Sequence, residues 1–112
     1  MANTFNNASV KLTSTSITDI YQAPTAAGSI SVVLSCLVAN VDGVASADIT
    51  VIKTNSSDTE QTRLAHTIPV PSDTSLELIP NKVVLKAGEK LRAQASAGND
   101  LDVTVSVLEI TL

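Results

Sequence analysis

A chain of 112 residues with 7 Lys and Arg against 11 Asp and Glu, a net charge of −4, fits one domain. A domain of this size hides roughly two-thirds of the surface its unfolded chain exposes, so a real core is available. Lys11, Lys53, Arg63, Lys82, Lys86, Lys90 and Arg92 are dispersed and outnumbered by acids, and only the stretch 82–92 is locally basic. That is a poor match to a polyphosphate partner, which needs clustered cations for counterion release.

Phe5 and Tyr21 are the only aromatics and there is no Trp. The core must therefore be aliphatic, and a carbohydrate-binding module, which needs an aromatic platform, is a remote alternative. The lone Cys36 lies within an apolar run, as a buried thiol acting as a small hydrophobe would, and it cannot form an intramolecular disulfide. Residues 1–9 carry neither a basic stretch nor an apolar run, so they do not read as a secretory signal. The longest apolar run, 32–41, contains Ser35 and Asn40 and is too short to span a bilayer. These features predict a protein assembled in the cytoplasm of its host, with no membrane and no nucleic-acid partner.

β-Branched residues dominate each apolar segment and turn residues separate them at short intervals, the pattern of a sandwich or barrel. The chain begins with a polar segment, 1–8, read as a flexible arm, and the sandwich domain is expected over 9–112. Strands are predicted at 9–15 and 16–22, or one bent strand across both, followed by a loop from Pro24 to Gly28. The segment 29–40 is apolar in both alternating sets. Ile30, Val32, Leu34, Cys36 and Val38 fall on one face, and Val33, Leu37 and Ala39 on the other. One face would meet the opposing sheet, and the other requires a second cover that a neighbouring subunit could supply.

Asp42 and Gly43 mark a turn, and 47–54 resumes as a strand with Ile49 and Val51 facing one way. After a polar loop, the segment from Gln61 alternates with Leu64, His66, Ile68 and Val70 on one side. Pro69 and Pro71 restrict its pairing and predict a sheet edge. Short strands around Leu76 and Leu78 and at 83–85 precede the turn at Ala87 and Gly88. Leu91, Ala93 and Ala95 then alternate with Lys90, Arg92 and Gln94, giving one buried and one wet face. The last strand, 101–112, alternates as Leu101, Val103, Val105 and Val107, then shifts to Leu108, Ile110 and Leu112. A bulge, or burial of both faces, explains such a shift. The predicted fold is all-β: a single-domain antiparallel β-sandwich or jelly-roll-like barrel of about eight short strands.

No catalytic constellation emerges. One histidine, His66, and one distant cysteine cannot assemble a zinc site or a nucleophile–base pair. The sequence neighbours of Cys36 offer no cation to stabilise a thiolate. Asp42, Asp48, Asp58, Glu60, Asp73, Asp100 and Asp102 sit in or beside loops at spacings that specify neither a glycosidase pair nor a calcium loop. No cofactor, no metal and no enzymatic activity are expected.

The order of segments resembles a known group. It comprises Ile20-Tyr21-Gln22-Ala23-Pro24, a long apolar strand ending at Asn40, and Ile68-Pro69-Val70-Pro71. Val83-Val84-Leu85-Lys86-Ala87-Gly88-Glu89-Lys90-Leu91 follows, and the chain closes on Leu101-Asp102-Val103-Thr104-Val105-Ser106-Val107-Leu108-Glu109. From about Ile17 onward this resembles small β-sandwich virion structural proteins of tailed phages, including those of marine and cyanobacterial hosts. A strand, an Ala-Gly-acid turn and a strand also occur in jelly-roll proteins such as cupins, whose metal-binding histidines are missing here.

The resemblance implies a capsid decoration or cement protein on the virion surface, with a neck, tail or fibre-base component as the alternative. Such subunits often form homo-oligomers, trimers above all, and bind the major capsid protein or other virion proteins. The expected subunit interface comprises Val33, Leu37, Leu108, Ile110 and Leu112, from the outer faces of the two long apolar strands.

Overall fold

A computed structural model describes residues 2–111 of the chain. They form nine strands, β1 (Ala2–Leu12), β2 (Thr18–Gln22), β3 (Ile30–Asn40), β4 (Ala47–Thr54), β5 (Glu60–Val70), β6 (Ser75–Glu77), β7 (Val83–Lys86), β8 (Lys90–Ala95) and β9 (Leu101–Thr111). No helix occurs among the described residues. Every paired neighbour is antiparallel.

One sheet runs β1-β9-β3, with both β6 and β7 pairing the far side of β3, and the second runs β2-β8-β4-β5. Taking β6 and β7 as one interrupted strand, the two sheets have the connectivity of a jelly roll, in which each connection but β4–β5 crosses between layers. The all-β sandwich expected from strand spacing and β-branched content is the fold observed. The segments 9–15 and 16–22 prove to be separate strands, because residues 14–16 form a bend that carries the chain from one sheet to the other.

The core lies between the sheets and is aliphatic. Val33, Cys36, Val38, Leu101, Val103, Val105 and Val107 from the first sheet meet Ile49, Val51, Leu91, Ala93 and Ala95 from the second. Each fully buried Val, Leu or Ile contributes about 1.5–3 kcal/mol from burial. Small Ala93 and Ala95 on β8 leave room for the branched residues opposite. Tyr21 closes one end, its hydroxyl bonded to Ser31 Oγ at 2.9 Å and donating to the Glu109 carboxylate.

Two side chains replace missing ladder bonds. Where β6 has ended and β7 has not begun, Glu77 Oε2 accepts from the backbone N–H of Cys36 at 2.8 Å and of Ile79 at 2.9 Å. Asn40, buried at the end of β3, donates to Ala45 O at 3.0 Å and Val70 O at 2.8 Å, while its Oδ1 accepts from Asp42 N at 2.8 Å. It thereby ties the β3–β4 loop to the end of β5.

Two expectations from strict alternation, in β3 and β5, are corrected, and one of the two explanations offered for the phase shift in β9 is excluded. In β3 the register against β9 shifts between Val33 and Ser35, which inserts Leu34 as an extra residue. The inner face is therefore Ser31 and Val33, then Cys36, Val38 and Asn40, so Ile30 and Val32 point outward and do not share a face with Cys36. In β9 there is no bulge: its pairing with β1 is regular from Leu101 to Thr111. Leu108 and Ile110 are on the outer face, while the inner face at this end continues from Val107 to Glu109, which accepts from the Tyr21 hydroxyl. In β5 three register shifts against β4 turn Ala65 inward and His66 out to solvent.

The segment 1–8, set apart as an arm, is described from Ala2 onward as part of β1, paired with β9 through Ala2↔Thr111. Ala2–Asn7 are nevertheless exposed at every residue, since the second sheet does not reach them.

Candidate assembly surface

The outer faces of the two sheets differ in kind. On the β2-β8-β4-β5 sheet, the outward residues of β8 are Lys90 and Arg92, and both are engaged by carboxylates. Lys90 Nζ lies 2.8 Å from Asp58 Oδ1 and 3.3 Å from Asp19 Oδ2, and Arg92 Nε lies 2.6 Å from Asp19 Oδ1. Lys53 pairs Glu89 at 3.2 Å. Partial burial opposes ionisation of Asp19, but the hydrogen bonds from Arg92 and Lys90 outweigh it and hold the carboxyl below its ordinary 3.8. Hydrogen bonds to Asp58 and Asp19 hold Lys90 above its ordinary value. Lys90 and Arg92, the end of the locally basic stretch, are thus matched by acids from β2 and the β4–β5 loop.

The outer face of the β1-β9-β3 sheet carries its apolar side chains toward one end, and its middle row, Asn7, Ser106 and Ser35, is polar. Register places Phe5 beside Leu108, Leu108 beside Val32, and Val32 beside Val84, an unbroken apolar row across four strands. The next row sets Ile110 beside Ile30. Phe5 is 77% exposed, Val84 51% and Leu37 42%. Charge lies at the margins: Lys86 on β7, Glu77 on β6 beside Leu37, and the Lys11–Asp102 pair at the opposite end, 3.0 Å apart. Leu108 and Val32 are half-buried between the more exposed Phe5 and Val84.

Of the residues expected at an interface, Leu37, Leu108 and Ile110 lie on this outer face. Val33 does not: the bulge at Leu34 turns it into the core, where it is 0% exposed. Leu112 lies outside the described residues. Sequence reasoning missed Phe5, Val32 and Val84. Phe5 stood as the single aromatic in a polar segment, a signal that the treatment of 1–8 as an arm discarded, and Val32 was placed on the wrong face by ignoring the bulge.

The remaining reactive side chains are dispersed. Among the described residues no three or more His, Cys, Asp or Glu converge as a metal site. Cys36 is fully buried, and burial, with the nearby Glu77 charge, pushes its thiol up to about 12. Arg63 Nη1 approaches His66 Nδ1 at 2.9 Å on the exposed side of β5. A polar hollow of about 300 Å³ on the second sheet is lined by Thr15, Asp48, Thr50, Thr67, Gln94 and Ser96. Its one unusual element is Thr67, with φ of 45°, whose N–H donates to Thr50 Oγ1 at 3.0 Å.

These features define a jelly-roll sandwich whose outer faces differ, with Lys90 and Arg92 ion-paired on one and the Phe5–Leu108–Val32–Val84 row on the other. No family model and no curated protein matches the chain. Its fold is similar to a chain in the acid-stable capsid structure of Helicobacter pylori bacteriophage KHP30, with TM-score 0.61 and 10% identity over 99% of this chain and 89% of that one. It is also similar to a chain of Bacillus endospore appendages, described as a novel family of disulfide-linked pili, with TM-score 0.60 and 12% identity over 98% and 88%. At such identities the likeness is one of fold. Both relatives come from assemblies of many subunits.

Proposed function

We propose that this protein is a non-enzymatic structural subunit of a phage particle, a capsid decoration or cement protein that forms homo-oligomers, trimers above all, and stabilises the head shell from outside. The observation that carries the reading is the contrast between the two outer faces. On the β2-β8-β4-β5 face Lys90 and Arg92 are paired by carboxylates and suited to water, whereas the Phe5–Leu108–Val32–Val84 row is left without cover in a single chain. The fold shared with a chain of the KHP30 capsid structure supports the same reading.

A closed oligomer that touches several shell proteins at once turns later contacts into intramolecular ones. Avidity can then exceed the single contact by about 10² to 10⁴ without any strong individual contact. A neck, tail or fibre-base component would use the same face in another part of the particle. The likeness to pili favours, as a second reading, a filament subunit. Disulfide linkage like that of those pili is closed to Cys36, which is fully buried.

The test is cosedimentation of purified protein with phage shells that lack it. Saturable binding that is lost in Ile110→Asp supports the shell role. A protein that oligomerises and ignores shells moves the assignment to the neck, tail or a filament.

A further inference from the structure

We infer that the free edge of β1 is a pairing edge for the β1 strand of a second copy, antiparallel about a two-fold axis near Phe5. This rests on the reading of the chain as an assembly subunit and adds a second contact to the apolar face. The sheet face would close the oligomer, and the edge would join one oligomer to the next.

The argument comes from comparing the edges of the two sheets. Soluble sandwiches protect edge strands with prolines, bulges, charges or very short strands, because an open edge presents unpaired N–H and C=O groups. β5 carries Pro69, three register shifts, the left-handed Thr67 and the Glu60–Arg63 ion pair. β2 has five residues, a register shift between Asp19 and Tyr21, and the charge of Asp19. The β6–β7 edge is split into strands of three and four residues, and the Glu77 carboxylate seals the gap.

β1 has none of these devices. It runs 11 residues in unbroken register with β9, contains no proline, and carries no charge from Ala2 to Val10. One donor, the Asn7 N–H, is tied to Asn6 Oδ1 at 2.8 Å. Lys11 is the single charge on the strand, at the end that leads toward β2.

The same elimination names the occupant. Among the edges of a second copy, β1 is the one left open, so like pairs with like. Two uncharged strands meet without repulsion, and an isologous contact satisfies both at once. Asn3, Phe5, Asn7 and Ser9 share the outer face, so antiparallel pairing sets the two Phe5 rings near each other. The apolar row then runs on from one subunit into the next.

The contact is small. Six residues, Ala2–Asn7, at about 3.4 Å each span about 20 Å, and a sheet edge is about 10 Å thick, giving roughly 200 Å² per partner. A self-sufficient interface takes about 800 Å² per partner, so the edge acts where other contacts already hold the copies close.

Single cysteines at Asn3, Phe5, Asn7 and Ser9 test this, with Thr62→Cys on β5 as the control, because buried Cys36 stays out of the exchange. Directly opposed residues in an antiparallel pair lie within disulfide reach. Under mild oxidation the account expects a covalent dimer at one of these β1 positions, with the rate falling about tenfold or more at the others and at the control. Because Asn3 of one copy faces Asn7 of the other about this axis, Asn3→Lys with Asn7→Lys, and Asn3→Glu with Asn7→Glu, should each lower that rate in the Phe5→Cys background, and mixing the two double variants should restore it. Equal rates at all positions and the control would overturn the pairing. If the protein still oligomerises in that case, the subunit reading survives and only the edge contact fails; a protein that is monomeric and never cross-links refutes both.

Discussion

Val32 and Val33 are adjacent, chemically identical and on opposite faces of β3, and the bulge at Leu34 sets Val33, not Val32, on the buried face with Cys36 and Val38. Replacing each by Thr changes a methyl to a hydroxyl at almost constant volume. Val33 is 0% exposed among Cys36, Val105 and other apolar neighbours, so its hydroxyl would be buried without an apolar-core partner. That costs about 1–3 kcal/mol, whereas a water-facing change stays within about 0.5 kcal/mol. At about 4 °C per kcal/mol for a domain of this size, Val33→Thr should lower Tm by about 4–12 °C and Val32→Thr by about 2 °C or less. Thermal melts at two protein concentrations tenfold apart separate subunit unfolding from oligomer dissociation. If Val32→Thr were the more damaging at both concentrations, the assignment of faces on β3, and with it the apolar row, would be wrong.

Asn40→Ala removes the partner of two carbonyls, Ala45 O and Val70 O, and should destabilise the fold by about 2–5 kcal/mol in urea unfolding. A Cβ at Gly98 would lie 2.8 Å from the backbone O of Thr13, so Gly98→Ala forces the β8–β9 turn from its neighbour and should cost about 1–3 kcal/mol in the same assay. Leu37→Asp and Ile110→Asp should leave circular dichroism and subunit folding intact while abolishing the oligomer in light scattering; an unchanged oligomer mass in either would remove that residue from the interface.

Stability should also fall at both ends of the pH range. Asp19 and Glu89 are held below their ordinary values, so the stability they lend is present above those values and is lost as pH falls through the folded ones. Tyr21 and Cys36 are raised to about 12 by burial, so their share is complete below 10.0 and 9.0 respectively and is lost as pH climbs toward 12. Cys36→Val should therefore delay the onset of the alkaline loss in a pH series of melts, and the same onset in both proteins would refute that share.

The strand content and most strand limits could be read from the sequence because β-branched alternation and turn residues are local signals. Ile49 and Val51, or Leu91, Ala93 and Ala95, sit on unbulged stretches, and there alternation identified the buried face correctly. It failed where the chain inserts an extra residue, at Leu34 in β3 and around His66 and Thr67 in β5. A bulge is fixed by pairing with a distant strand, and the local sequence does not encode it. The same cause divided the interface residues: Leu37, Leu108 and Ile110 fell on the outer face, while Val33 moved inside. Phe5 was lost for a different reason. A polar segment rich in Asn carries no strand periodicity, and its extended form depends on β9 as a template.

The most direct test of the central claim is the mass of the purified protein by light scattering across a concentration series. A subunit with an uncovered apolar face should give a stable multiple of the 11.6 kDa chain, three-fold for a decoration trimer, that collapses to one chain in Ile110→Asp. A parent protein that stays at 11.6 kDa at every concentration would contradict assembly through that face.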